Sequence, residues 1–296
     1  MILVAGATGT LGGLISQRLR DRGETVRALV RPSAAPEKVE RLRALGVEIY
    51  HGDLREPASL DGATRDADVV ISTVSMIGTA KPGDSFDDTD NAGTRALIDA
   101  AKRARVAQFI YISFDHAQFE DSPMVQAKRE VEQHLRDSGV PYTVLRPSIF
   151  METWLGPRLG VDAAAKTAKV FGSGDQPLNY VSVRDVAEYA VHCVGNADVL
   201  NRALNIGGPE SVSQRDAVRI IEEALGTPLQ VTVIPEEALV AQLREATDPF
   251  ARTFASLMLG VARGDRRPAS ALDRPADIPL RSVRDYAADL ARSQGR

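Results

Sequence analysis

The chain has 296 residues, 44% of them apolar and 26% charged, with a formal net charge of −4. These proportions fit a globular protein of one large domain, or one domain with a smaller lobe. The mild negative charge, with arginines scattered among acids, leaves no basic stripe for nucleic acid or an anionic membrane.

A single cysteine, Cys193, rules out an intrachain disulfide. Its apolar setting over 190–194 marks it as a small buried hydrophobe. No apolar run nears the roughly 18 residues of a membrane span, and a strand starting at Ile2 is read as leaving no room for a cleavable signal. A soluble, cytoplasmic protein, monomeric or homodimeric, is expected.

The first half alternates strands and helices. An apolar run over 2–4 ends in a glycine turn, and 11–22 sets Leu11, Leu14, Ile15 and Leu19 on one helical face. A strand over 26–30 follows, then a helix over 37–45 stopped by Gly46 and a strand over 47–50. The pattern continues with a helix from near Pro57, a strand over 69–74, a long helix over 89–103 and a strand over 109–113. A helix over 125–137 and a strand over 142–145 complete it. This spacing implies right-handed βαβ crossovers and a doubly wound parallel sheet of the Rossmann type, in the α/β class. The apolar runs 69–71 and 109–112 suit strands covered on both faces.

The second half is looser. Short strands are expected over 170–171 and 179–183, a helix over 183–194 and a strand over 203–206. A helix over 213–225 is capped by Ser211 or Ser213, and a strand covers 231–234. Two helices, 236–246 and 250–261, break at Asp248-Pro249, and 263–281, rich in Pro, Arg and Asp, reads as loop. The expected division is a dinucleotide-binding domain over 1–150 and a smaller α/β substrate-binding lobe over 151–296. Residues 236–262 are a candidate helical lid.

Gly6, Gly9 and Gly12 form Gly-x-x-Gly-x-x-Gly after a strand and at the opening of a helix, with Thr8, Thr10 and Leu11 in the same turn. In that setting the glycines serve a dinucleotide: a tight turn, room for the pyrophosphate, and close helix–strand packing. Free N–H groups at the helix start then meet the phosphates. About 20 residues on, an NAD binder carries an acid for the ribose 2′-hydroxyl. Here Arg31 stands at that place, followed by Ser33 and Lys38. A guanidinium there pairs with a 2′-phosphate, so NADPH is favoured, with NADH the alternative. Asp53, beside Leu54, either accepts from the adenine amino group or caps the next helix. Thr73, Val74 and Ser75 leave the fourth strand at the ligand edge of the sheet.

These residues resemble the atypical short-chain dehydrogenases/reductases of the NmrA-like kind. The resemblance rests on Gly-Ala-Thr-Gly-Thr-Leu-Gly-Gly over 6–13, Val-Arg-Ala-Leu-Val-Arg over 26–31 and Gly-Asp-Leu over 52–54. It continues in Phe-Ile-Tyr-Ile-Ser over 109–113, Ala127-Lys128 with Glu132 and Leu135, and Ser-Gly-Val-Pro-Tyr-Thr-Val-Leu-Arg-Pro over 138–147. Further matches are Val-Arg-Asp-Val-Ala over 183–187 and Asn-Ile-Gly-Gly-Pro-Glu over 205–210. It spans about 1–235 and is specific for fold and cofactor rather than substrate; members include carbonyl, quinone and dye reductases, polyketide ketoreductases and cofactor sensors.

The resemblance implies a Ser/Tyr/Lys set in which tyrosine, four residues before lysine, is the general acid. Ser113 and Lys128 match, but Met124 occupies the tyrosine position and cannot donate a proton. Lys128 is read as a ligand of the nicotinamide ribose, against a solvated lysine paired with Glu132. His116 is a candidate acid because an imidazole suits general acid–base work, and Tyr180 is weighed as a donor against core packing. The family's turn at Pro147 and Ile149 contacts the carboxamide.

Phe114, Met151 and Trp154, with Phe250 and Phe254 on a later helix, are expected to wall an apolar pocket around Ser113. An aromatic or quinone-like acceptor suits that lining. The expected activity is NADPH-dependent reduction of a ketone or quinone carbonyl of an aromatic small molecule, without the usual tyrosine. The alternative is a non-enzymatic NADP(H)-sensing regulatory protein.

Overall fold

Alternate residues of the first strand, β1 (Ile2–Ala5), serve opposite layers: Ile2 and Val4 join one hydrophobic cluster, Leu3 and Ala5 another. A strand buried in this way must lie inside a sheet with helices on both faces. The computed structural model, which describes residues 1–77, 84–116, 119–265 and 267–295, places it there.

β1 pairs in parallel with β2 (Val26–Val30) on one side and β4 (Val69–Ser72) on the other. β3 (Glu48–His51) lies outside β2. Beyond β4 come β5 (Gln108–Ile112) and β6 (Tyr142–Pro147). The order 3-2-1-4-5-6 reverses direction between β1 and β4, which opens a ligand crevice at the C-terminal ends of those strands. α1 (Thr10–Asp21) and α2 (Pro36–Ala44) follow β1 and β2, and α3 (Leu60–Thr64) follows β3. α4 (Thr94–Ala104) and α5 (Pro123–Ser138) follow β4 and β5.

The helix expected over 89–103 begins earlier, with a π-helical run at Phe86–Gly93 that leads into α4. There the Gly93 Cα lies so close to Leu54 that a Cβ would come within 2.8 Å of the Leu54 Cβ.

After β6 the chain enters a second, smaller lobe through β7 (Ile149–Phe150), α6 (Met151–Trp154) and β8 (Val161–Asp162). β9 (Thr167–Phe171) and β10 (Pro177–Val181) follow. It then returns: α7 (Val183–His192) packs on α1, and β11 (Arg202–Ile206) pairs with β6 as the seventh parallel strand among the described residues. The two parts expected to meet at residue 150 are thus interleaved. Cys193, wholly buried at the end of α7, has its thiol pushed up to about 12 by burial, as suits a packing residue.

The chain goes back to the small lobe with β12 (Ser211–Ser213), α8 (Gln214–Leu225) and β13 (Gln230–Ile234). α9 (Glu236–Glu245) and α10 (Pro249–Arg263) follow. Ser213, not Ser211, caps α8, accepting from the Asp216 N–H at 3.0 Å.

The loop expected over 263–281 is followed by a helix the periodicity reading missed, α11 (Val283–Ser293). Ser282 and Asp285 cap it reciprocally, and Val283, Ala287 and Ala291 seat it in the lobe core beside α8. No helix among the described residues is long and apolar enough to cross a membrane.

Candidate functional site

The glycine turn is shaped by contact rather than by sequence bias alone. Gly6 has φ +86°, where an L side chain is strained. A Cβ on Gly12 would lie 2.3 Å from the Gly6 carbonyl oxygen and 2.8 Å from Thr73 Oγ1. Only glycine lets the start of α1 pack this closely on the turn and on Thr73, and that close packing shapes the turn into a cradle. α1 starts at Gly9 with no side-chain cap and no acid in its first turn, so its N–H groups and positive dipole end are left for an anion. Thr8, Thr10 and Leu11 are not buried in this turn. Thr73 closes the crevice from β4, its N–H and hydroxyl both donating to the Ala5 carbonyl at 3.0 and 3.2 Å. The cradle fits a pyrophosphate.

At the end of β2, Arg31 donates from Nη1 to Asp84 at 3.3 Å, while Ser33 lies exposed in the following turn. Asp53 is not poised for adenine. Both its oxygens are held by Arg55, at 3.1 and 2.8 Å, and Oδ1 also accepts the Arg55 backbone N–H at 2.9 Å. The hydrogen bond from Arg55 holds its carboxyl below the usual range despite the opposing effect of burial. Asp53 closes a local turn by accepting the Arg55 N–H; it does not cap the next helix, whose N-cap positions, Glu56 and Ser59, carry no side-chain cap bond. Leu54 is buried beneath it.

Lys128 is not the solvated helix lysine of the alternative reading. It is 3% exposed, donates from Nζ to the Val74 carbonyl at 2.9 Å, and lies 5.0 Å from the Tyr111 ring centroid. Its partner is Asp90 at 3.7 Å, fully buried on the π-helical run, where Asp90 also accepts the Met76 N–H at 3.0 Å. Burial pushes the lysine pKa down and the aspartate pKa up, and each charge opposes the other's shift. The sequence offered no direct sign of Asp90, 38 residues away; only the coordinates bring the pair together. Ser75 adjoins this group.

Glu132, the partner of Lys128 in the alternative reading, has other partners. Ser113 Oγ donates to its Oε1 at 2.7 Å, Arg146 binds it through two nitrogens, and His116 Nε2 stands 3.8 Å away. Burial pushes the Glu132 carboxyl up, but His116, Arg146 and Ser113 outweigh that and hold it at about 2. The Ser113 hydrogen is therefore committed to a permanent carboxylate, and toward a ligand Ser113 offers lone pairs only. His116 is half-buried against Phe114 at 5.9 Å, with Arg129 donating to its Nδ1 at 3.5 Å.

Met124 is buried in the lobe core, so no acid replaces the missing tyrosine there. Tyr180 is buried in the same core, and burial raises its pKa; the core-packing reading holds. Pro147 and Ile149 are both buried at the turn out of β6, with Ile149 in register with Tyr180 of β10.

The expected pocket residues fall into separate groups. Phe114, Met151, Trp154 and Phe250 all belong to one apolar cluster, with the Phe250 ring tilted against Phe86 at 4.8 Å. Trp154 also lines a small crevice with Phe171, Tyr180 and Val218, whose walls do not include Ser113. Phe254 is half-buried on α10 and is not part of the cluster. α10 is tied to the loop before α5: Ser256 donates to the Glu120 carbonyl at 2.6 Å, and Gly260 abuts the Phe119 ring. Among the described residues no group of three or more His, Cys, Asp or Glu is disposed to hold a metal ion.

Sheet order and glycine cradle together define a Rossmann-type dinucleotide-binding fold. The chain belongs to the NmrA-like family, whose pattern matches residues 1–259. It is 32% identical over 299 residues to a (4-alkanoyl-5-oxo-2,5-dihydrofuran-3-yl)methyl phosphate reductase of Streptomyces griseus, a match covering 98% of each chain. It is 29% identical over 242 residues to a photosystem II assembly factor of Guillardia theta, covering 81% of this chain and 74% of that one. Its fold is similar to an NADPH-dependent quinone oxidoreductase of Escherichia coli complexed with NADPH, with a TM-score of 0.79, 23% identity, and 98% and 99% of the two chains covered.

Proposed function

We propose that this chain is an NADPH-dependent reductase that delivers hydride to a ketone or quinone carbonyl of an aromatic small molecule, with no protein tyrosine as acid. The observation that carries it is the buried Lys128, held at the ligand edge between the Val74 carbonyl and Asp90. A charge costly to bury is retained beside a cradle shaped for a dinucleotide.

The α1 start takes the pyrophosphate, Arg31 and Ser33 take the 2′-phosphate, and Thr73, Val74, Ser75 and Lys128 border the nicotinamide ribose. Pro147 and Ile149 border the carboxamide. When bound, the reduced nicotinamide supplies the hydride. Ser113 accepts a hydrogen bond from one O–H of a water, because its own proton is on Glu132's side. The water's other hydrogen goes to the oxygen of the reduced carbonyl, and the hydroxide it leaves takes a proton from solvent. Catalysis on this reading is mostly positioning. The match to a reductase over 98% of both chains supports it.

The sensor reading draws on Met124 and on the assembly-factor relative. Stopped-flow oxidation of NADPH against ketones, quinones and a butenolide phosphate separates the two. Turnover of one class with saturation supports the reductase; tight NADPH binding without oxidation by any acceptor would overturn it in favour of the sensor.

A further inference from the structure

The arginine pair at the cofactor's adenosine end already holds an anion. Asp84 gives one carboxylate oxygen to Arg31 at 3.3 Å and the other to Arg55 at 3.2 Å, bridging two guanidiniums that come from different loops. Its side chain is 3% exposed, whereas those of Arg31 and Arg55 are 32% and 40% exposed. The acid is tucked beneath the cations and the cations face outward. Arg55 gives its other edge to Asp53 through Nε and Nη2.

Two guanidiniums and two carboxylates leave this group of four side chains with no formal net charge, and Glu56 adds a further negative field at Arg55. A 2′-phosphate carries close to two negative charges. It would meet a group one charge more negative while Asp84 stays in place than once Asp84 has left. A guanidinium pairs as well with phosphate as with carboxylate, so exchange is chemically even-handed and decided by charge.

We propose that Asp84 is an internal occupant of the 2′-phosphate seat, so that it sets the balance between phosphorylated and unphosphorylated dinucleotide. NADPH must displace the Asp84 carboxylate from Arg31 and Arg55, whereas NADH binds with it in place. The inference rests on the dinucleotide reading above and concerns this chain's own residues. Asp84 lies 53 residues from Arg31 and 29 from Arg55. It stands immediately before Ser85, whose hydroxyl caps the π-helical run by accepting the Asp88 N–H at 2.9 Å. That cap is independent of the arginines, so the carboxylate can leave without unwinding the helix behind it.

The test is direct binding, read by cofactor fluorescence and calorimetry rather than turnover, with NADPH, NADH and the fragments 2′-AMP and 5′-AMP. Asp84→Asn should bind NADPH and 2′-AMP about tenfold more tightly than the parent, the order expected for removing one charge that faces a dianion at a partly exposed, salt-screened site. NADH and 5′-AMP should change less than about twofold, since neither carries the extra phosphate. Asp84→Ala should behave alike. In the parent protein, NADPH but not NADH should speed amide exchange at 84 and 85, ahead of the capped helix, a readout that needs no variant to fold.

Weaker NADPH binding in Asp84→Asn would mean that the acid anchors the arginines for phosphate, and would overturn the proposal. An unchanged NADPH/NADH ratio, or equal exchange with both cofactors, overturns it too while leaving the dinucleotide reading intact. A parent protein that binds neither dinucleotide overturns both.

Discussion

Replacing Lys128 with methionine tests whether the buried ion pair is the keystone of the site. The ammonium is 3% exposed and gives up three contacts: a charged hydrogen bond to the Val74 carbonyl, the Asp90 carboxylate at 3.7 Å, and the Tyr111 ring face at 5.0 Å. Methionine matches its length and removes the cost of burying the ammonium, but it strands Asp90 in the core. Breaking one side of a buried pair costs about 3–5 kcal/mol, a large part of the stability of an ordinary domain.

The sign with pH follows. Burial already raises the Asp90 pKa, and Lys128 is what holds it back. Without the lysine the folded pKa rises further, so the folded state binds a proton that the unfolded state releases. Stability then falls as pH rises through the folded value, so the deficit of Lys128→Met should grow with pH and shrink in acid. Lys128→Met with Asp90→Asn should recover most of the loss, giving a coupling of about 2 kcal/mol or more in a double-mutant cycle. Urea unfolding from pH 5 to 8 measures all of this. A loss under about 1 kcal/mol for the single variant, or additive effects, would refute the pairing. Both variants should lose NADPH affinity, because the ribose loses its donor even where stability returns.

Three further outcomes follow from distances and burial. Gly12→Ala should lower dinucleotide affinity by at least about a hundredfold, since its Cβ meets the Gly6 carbonyl oxygen at 2.3 Å. Gly13→Ala, whose Cβ finds only the Ala7 oxygen at 3.4 Å, is the control, and a tolerated Gly12→Ala in the fluorescence titration would remove the cradle argument. Ser113→Ala should cut kcat about tenfold or more with NADPH affinity unchanged; undiminished turnover would take Ser113 out of the scheme. Asp185, whose carboxyl burial pushes up to about 6 from 3.8, penalises the folded state once ionised by at most about 3 kcal/mol. The native state binds this proton more tightly than the unfolded one, so its contribution is present in acid and lost as pH rises from about 4 to 6. Asp185→Asn should accordingly gain on the parent between pH 4 and pH 8 in thermal unfolding, and a constant difference across that range would contradict the shift.

The sheet was legible because its strands carry the physics in local sequence. Fully covered strands such as β4 and β5 must be continuous apolar runs, and a glycine turn between strand and helix has few other uses. Elements that depend on distant partners read less well. β11 looks like any short strand; only its register with β6 makes it part of the main sheet. α11 was hidden because its buried face is built from Val283, Ala287 and Ala291, two of them too small to register as an apolar stripe. The signal that could have found it was the Ser282–Asp285 cap.

In the site the limit is electrostatic. Residue type and spacing put Lys128, Ser113 and Arg31 at one sheet edge, and the structure does the same. What each can do depends on the counter-charge it meets. Lys128 is four residues from Glu132, the helical spacing at which lysine and glutamate pair, yet Arg146 takes the glutamate and Asp90 the lysine. That exchange of partners fixes the chemistry. Bound to Arg146, Glu132 stays ionised and holds the Ser113 hydrogen. Ser113 is thereby turned from a donor into an acceptor, so a proton for a reduced carbonyl would have to come from a group other than Ser113.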